Sequence, residues 1–495
     1  MSHLVLLPIL LPLLAGVAIL PWRSTPIQRA IGLGAALLLV VLAGALLAEA
    51  SAGPTVYRLG GWEPPLGIVL VLDRLGALLV AVTAVVGLAA LVYAAAGNDR
   101  RGRAFHPLFQ FQLAGLNGAF LTGDFFNLFV FFEILLIASY GLLLHGGGGR
   151  RNQAAFHYVI LNLVGSMLFL MGLGILYGTA GTLNMADLAR VLPELGPEAA
   201  ALAQAGGMLL LAVFALKAAA FPLFLWLPEA YAAALPPVAA LFAVMTKVGI
   251  YAILRLDAMV LAPLGSELVT PLLLYGGIAT VAVGALGALG AQRLGAMVSY
   301  LLLVSVGTLL MGVAVEAGVG PALYYLVHTT LLTAGLFLMV GIVSRQRAPQ
   351  GDILESGAPL AQPVALGVLF LIAAVGIVGL PPLSGFLGKV LILQAFLDGP
   401  AMVGVFAAVL VGGLGLLVAL GRAGSTLFWK QGFEPRPVRA AGAQTLVPAA
   451  GLILATAVLA AAAGPIAQWT GRAAAEAQET GGYIESVLGA REARP

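Results

Sequence analysis

The chain has 495 residues, of which 61% are hydrophobic and only 9% charged, and it carries a net charge of +3. Soluble domains hold about 25% charged residues, so at this length most of the surface must face lipid, and the whole chain reads as one membrane domain. With no cysteine, disulfides and thiolate-held zinc or iron–sulfur clusters are excluded within the chain. There is no Walker loop and no Gly-x-Gly-x-x-Gly after a strand, so no cofactor is expected and any redox or ATP drive must come from another chain. The small positive charge lies in loops and gives no case for nucleic acid.

The first apolar run, 3–21, lacks the basic leader and Ala-x-Ala site of a signal peptide and reads as an uncleaved transmembrane helix. Further runs fall at 27–48, 73–95, 107–123, 125–145, 153–177, 201–235, 237–256, 268–290, 292–315, 319–343, 361–398, 401–429 and 445–465. The expected fold is therefore an all-α polytopic bundle of about fourteen transmembrane helices. Residues 107–145 would make ~58 Å of straight helix, about twice the hydrocarbon thickness, and Thr122-Gly123-Asp124 is the natural break.

Two single segments are also too long for one crossing: 201–235 and 361–398 would run ~52 and ~57 Å. The first contains Pro222 in Phe221-Pro222 and the second Pro381-Pro382. Proline removes a backbone donor and frees a carbonyl, so both helices are expected to break inside the membrane. They are the seventh and twelfth segments and cross in opposite directions. Each carries a lysine within nine residues of its break, Lys217 and Lys389. Paired broken helices of opposite sense are the trace of an inverted repeat and point at a transport path. The repeats are expected at roughly 107–256 and 268–429, inside a transmembrane domain of 1–465. The polar tail, 466–495, with Glu476, Glu479, Glu485, Arg491 and Arg494, reads as a peripheral or frayed segment without chemistry.

Loop charge sets the orientation. With the N-terminus outside, the inside loops hold Arg23, Arg29, Arg100, Arg101, Arg103, Arg150, Arg151, Arg293, Arg345, Arg347, Arg422, Lys430, Arg436 and Arg439, which is 14 of the 24 Lys and Arg residues. The outside loops hold only Arg58, Arg74, Arg190 and Arg255, with Arg472, Arg491 and Arg494 in the tail. Both termini are expected on the outer side. The 64 glycines are read mostly as close-packing positions.

The remaining three cations, Lys217, Lys247 and Lys389, all sit within apolar segments. An ionisable group at a helix centre costs roughly 2.5–3.5 kcal/mol on insertion scales and is usually kept for a role. Snorkelling explains a lysine near a helix end, but Lys217 and Lys247 lie ~12–16 Å from their segment ends, and Glu133 is again near the midplane. His328, in the eleventh segment, suits a proton relay because its unperturbed pKa lies near 6.5. His145 and His157 lie near segment ends, where solvation accounts for them, and Glu229 faces a cavity or a loop.

The stretch Phe105-His106-Pro107-Leu108-Phe109-Gln110-Phe111-Gln112, with Leu121-Thr122-Gly123-Asp124 running on through Phe131-Phe132-Glu133, resembles the antiporter-like subunits shared by respiratory complex I and Mrp-type cation/proton antiporters, most of all the Mrp D subunits. Ile137-Ala138-Ser139-Tyr140, Gly181-Thr182-Leu183-Asn184-Met185-Ala186-Asp187-Leu188 and Gly379-Leu380-Pro381-Pro382-Leu383-Ser384-Gly385-Phe386 support the likeness. The resemblance implies that Glu133 in the fifth helix, Lys217 in the broken seventh, Lys247 in the eighth, His328 in the eleventh and Lys389 in the twelfth form a proton path. The tenth helix offers Ser305 and Thr308 but no charge, which leaves the middle of that path thinner and water-filled.

The function so implied is that of a proton-translocating subunit of a multisubunit Na+/H+ antiporter in the cell's inner membrane, a transporter subunit rather than an enzyme. Glu133 favours the charged form of Lys217 while burial opposes it, so withdrawing Glu133 makes Lys217 release its proton. Three buried lysines against one carboxylate form a poor site for sodium, which wants oxygen ligands, so sodium is expected to cross elsewhere in the complex. The alternative is a proton-pumping subunit of a complex I-like NADH dehydrogenase or a membrane-bound hydrogenase. A stand-alone solute transporter is disfavoured because no polar pocket for an organic substrate is evident.

Overall fold

The structure is a computed structural model that describes residues 3–102, 104–430 and 439–489; Arg103, Arg436, Arg491 and Arg494 lie outside the described residues. In hydrocarbon every backbone polar group must find its partner within the protein, and a helix achieves this inside one segment. Each predicted apolar run accordingly winds into a helix or a pair of half-helices.

In chain order these are α1 (Leu7–Ile19), α2 (Thr25–Ala50), α3 (Arg74–Ala94), α4 (Phe105–Leu121), α5 (Phe125–Leu144) and α6 (Gly149–Ala180). A short antiparallel ribbon, β1 (Thr55–Arg58) on β2 (Val69–Leu72), links α2 to α3, with Thr55 opposite Leu72. After the short α7 (Met185–Val191) come α8 (Pro197–Ala218) and α9 (Trp226–Ala233), which together fill the seventh segment. Then follow α10 (Pro236–Leu256), α11 (Val269–Gly290), α12 (Leu294–Val313) and α13 (Glu316–Gln346). The twelfth segment is again two helices, α14 (Pro363–Val378) and α15 (Ser384–Gln394), followed by α16 (Met402–Gly424) and α17 (Ala443–Ala461).

Eleven of the described helices are long and apolar enough to cross a membrane alone. Of the others, α1, α14 and α15 are shorter apolar helices and α4 has 17 residues. Both long segments break at their prolines. Ala219 ends α8 in a left-handed conformation (φ 60°), and Phe221-Pro222 lies in the gap before Trp226. Gly379 does the same after α14 (φ 84°), and Pro381-Pro382 precedes Ser384. Along the chain α4 packs on α5, α5 on α6, α6 on α8 and α8 on α10, while α11 packs on α12, α12 on α13, α13 on both α14 and α15, and α14 on α16.

Burial separates centre from rim. The most apolar window of 236–261 is 100% buried and that of α13 94%, against 33% for α2. The helices that carry Lys247 and His328 are thus the two most buried of the eleven.

At the arginine-rich end, Arg29 donates to both oxygens of Asp99 (2.6 and 2.8 Å), which also contacts His106 Nε2 at 3.1 Å. Burial pushes the Asp99 carboxyl up, but the hydrogen bonds from Arg29 and His106 outweigh it and hold the group well below the usual carboxylate range. His145 departs from expectation: it is buried, with Nε2 3.3 Å from the Asn98 carbonyl and its ring against Phe105. The turn between α3 and α4 folds over it. His157 and Glu229 are exposed.

The opposite end brings two corrections. Arg255, expected in a loop, is in the last turn of α10 and ion-paired with Asp73, both side chains 2% exposed. The same Asp73 caps α3 by accepting from the Gly76 amide at 2.7 Å, so the carboxylate draws the guanidinium inward. The tail is not frayed over its described residues: α18 (Ala463–Gln478) packs on α13 and α3, and α19 (Thr480–Leu488) on α7. Its apolar side, including Ala473, Ala477, Tyr483 and Val487, is buried, while Glu476 pairs with Arg74.

Candidate proton path in the bundle core

Lys247 lies near the middle of α10, ~16 Å from Pro236 and ~14 Å from Leu256 at 1.5 Å per residue. Lys217 is at the same level, because α10 and α8 touch there through glycine: a Cβ on Gly249 would stand 2.4 Å from the Ala218 nitrogen. Lys217 is 5% exposed, Lys247 0%, Lys389 6% and His328 0%. Among the described residues, the ion pairs join arginine or histidine to aspartate or glutamate and leave out Glu133 and the three lysines.

Glu133 and Lys217 meet instead through α6. Ser166 Oγ donates to Glu133 Oε1 at 2.5 Å. Lys217 Nζ donates to Asn162 Oδ1 at 3.1 Å and to the Asn162 carbonyl at 3.4 Å. Asn162 and Ser166 are four apart and so share one helix face. Sequence alone singles out neither, since uncharged polar residues in a membrane helix look like ordinary packing hydrogen bonds. Their spacing is the one signal it offers.

Lys247 has a thinner shell: among the described residues its hydrogen bond is to Thr246 Oγ1, at 3.3 Å. Beyond it, Ser305 and Thr308 of α12 are buried and donate to the Leu301 and Val304 carbonyls of their own helix, and Tyr325 of α13, a residue that hydropathy and charge do not mark, is buried as well. The Tyr325 ring stacks on His328 with centroids 5.7 Å apart.

His328 sits against both halves of the broken twelfth segment. Its Nε2 is 3.2 Å from the Gly376 carbonyl of α14, and its Nδ1 is 2.8 Å from Ser384 Oγ of α15. Lys389 closes the cluster by donating to the carbonyls of Ile377 and Val378 at 3.1 and 2.8 Å. Those carbonyls are at the C-terminal end of α14, where a helix leaves its last acceptors unpaired and carries partial negative charge. The break therefore creates the binding place for the lysine that follows it. The structure thus groups Glu133 with Lys217 by way of α6, and His328 with Lys389 by way of the break, with Lys247 between α8 and α13.

A polytopic helical bundle with two broken helices and ionisable groups in its centre defines an antiporter-like membrane subunit. The chain belongs to the family described as NADH:quinone oxidoreductase/Mrp antiporter, transmembrane, whose model matches residues 122–415. It is 43% identical over 481 residues to the D subunit of a probable K(+)/H(+) antiporter of Rhizobium meliloti (strain 1021), covering 88% of this chain and 89% of that one. It is 35% identical over 497 residues to the D subunit of the Na(+)/H(+) antiporter of Bacillus subtilis (strain 168), covering 99% and 100%. It is also similar to a chain of the solved Mrp complex from Dietzia sp. DQ12-45-1b, with a TM-score of 0.89, 28% identity, and 98% and 99% of the two chains covered.

Proposed function

We propose that this chain is the proton-translocating subunit of a multisubunit monovalent cation (Na+)/H+ antiporter in the plasma membrane. Protons pass along Glu133, Lys217, Lys247, His328 and Lys389, and other subunits carry the sodium. The observation that carries this reading is the set of three buried lysines whose ammonium groups rest on neutral acceptors. A neutral acceptor holds a charged lysine less firmly than a carboxylate does, so each lysine is able to take and release a proton.

In this reading Ser166 and Asn162 hold the acid and the base on one face of α6. A shift of Glu133 away from that face removes its favourable field from Lys217, which then passes its proton toward Lys247. The inverted repeats, 107–256 and 268–429, place an equivalent unit around Lys389. Both termini lie on the outer side, opposite the arginine-rich loops, in accord with the preference of basic loops for the cytoplasm.

The test is to replace Glu133 or Lys217 by Ala in the complete complex and to follow cation/proton exchange in everted membrane vesicles. Loss of exchange with intact assembly is expected; retained exchange would refute the assignment. The family also takes in NADH:quinone oxidoreductases, so a proton-pumping subunit of a redox complex is the second reading. Copurification from native membranes separates the two: small antiporter subunits favour the first, and flavin, quinone or iron–sulfur subunits the second.

A further inference from the structure

Three contacts run in a line through His328, and together they need more protons than a neutral histidine supplies. The Thr456 carbonyl of α17 is 2.8 Å from Ser384 Oγ, which is 2.8 Å from His328 Nδ1, and His328 Nε2 is 3.2 Å from the Gly376 carbonyl. Both ends of the line are carbonyls and only accept. Nε2 must therefore carry a hydrogen to serve Gly376, and the single hydroxyl hydrogen of Ser384 must serve Thr456. That leaves the central contact to be filled by a hydrogen on Nδ1, which makes the ring an imidazolium. With neutral His328 the hydroxyl has to choose between Nδ1 and Thr456.

We propose that Ser384 is a positioning residue that converts the protonation state of His328 into a tether between the broken twelfth segment and α17. When His328 takes a second proton, Nδ1–H donates to Ser384 Oγ, the hydroxyl turns to Thr456, and all three bonds form. When the proton leaves, the hydroxyl turns back to Nδ1 and the bond to α17 opens. The proposal rests on the reading of His328 as a proton carrier.

The surroundings fit a switch of one hydrogen. Ser384 is the first residue of α15, one place after the N-cap Leu383, so its hydroxyl is not committed to capping the helix and meets His328 and the Thr456 carbonyl instead. Small residues hold the imidazole in place: a Cβ on Gly385 would stand 2.7 Å from His328 Nε2 and 2.0 Å from the Gly376 carbonyl. The titratable groups beside the ring are Lys389 of α15 and Tyr325 of its own helix, whereas α14 meets the ring with the Gly376 carbonyl and α17 meets Ser384 with the Thr456 carbonyl. Two positive charges in one water-poor cluster repel, so charge on Lys389 opposes charge on His328. Lys389 follows Ser384 by five residues on the same half-helix, so the tether acts on the element that carries the next group.

The experiment compares wild type, Ser384→Ala and Ser384→Thr in the assembled complex, by the pH profile of exchange and by 15N NMR of labelled histidine, with His328 assigned from a His328→Gln sample. Ala removes the acceptor of the charged form, so the exchange midpoint and the His328 titration are expected to move together to lower pH by about one unit, as befits one hydrogen bond to a charged group. Thr, which keeps the hydroxyl, should restore both. An Ala variant that is slower at every pH with an unmoved midpoint overturns the proposal, as does a His328 that stays neutral from pH 5 to 9 in both proteins. Should His328→Gln leave exchange unchanged, it is the proton path that loses His328, and the NMR titration still decides the role of Ser384.

Discussion

The Lys389 ammonium donates to the Val378 carbonyl at 2.8 Å, joining the second half of a broken helix to the freed end of the first. Anchoring the break and carrying a proton are thus two jobs of one side chain, and substitution can separate them. Lys389→Met leaves the Ile377 and Val378 carbonyls unpaired and should cost about 1–3 kcal/mol of stability along with exchange. Lys389→Arg keeps donors but never gives up its proton. It should melt near wild type in detergent while exchange in vesicles is lost.

Asn162 and Ser166 should matter although neither titrates in the working range. Each hydrogen bond to a charged group is worth roughly 1.5–3 kcal/mol, so Asn162→Ala or Ser166→Ala should lower exchange about tenfold or more with normal assembly. Asn162→Asp places a carboxylate beside Lys217, fixes the proton there, and should depress exchange at least as far. Wild-type rates in all three would remove α6 from the path.

Gly385 leaves no room for a methyl group, whereas a Cβ on Gly464 of α18 would meet nothing within 4 Å. Gly385→Ala should destabilise by about 1–3 kcal/mol through overpacking. Gly464→Ala, in a helix and unopposed, should be neutral or stabilise by up to about 1 kcal/mol. Thermal unfolding of the two variants side by side checks the contrast in sign.

The Asp73–Arg255 pair predicts non-additivity. Arg255→Met strands a buried carboxylate and should cost about 3–5 kcal/mol, while the double variant Asp73→Asn/Arg255→Met should recover much of that loss. A double variant as unstable as the sum of its single changes would contradict the pairing.

Acid sensitivity follows from Asp99. Its folded-state pKa lies below the unfolded value, so the stability it lends is fully present above about pH 4, the ordinary carboxylate range, and is lost as pH falls through the folded-state value. Asp99→Asn should therefore lower the melting temperature at pH 8 and at pH 5. The gap to wild type should narrow only in stronger acid, which melting curves from pH 8 down to pH 3 would record.

Hydropathy, proline and charge are properties of a residue and its near neighbours, and they are enough to place the membrane runs, the breaks at Pro222 and Pro381-Pro382, and Glu133, Lys217, Lys247, His328 and Lys389 as groups of interest. Only the tertiary structure decided what each group touches. Asn162 and Ser166 stand between Glu133 and Lys217, the Asp73 carboxylate pulls Arg255 out of its expected loop, and Thr456 comes to Ser384 from a helix 72 positions away in sequence. Hydrogen-bond partners in a bundle are set by which helix faces pack together, and helices far apart in the chain leave no local trace of that choice. The tail shows the same limit: a stretch that reads as polar becomes α18 and α19 packed on α3, α7 and α13.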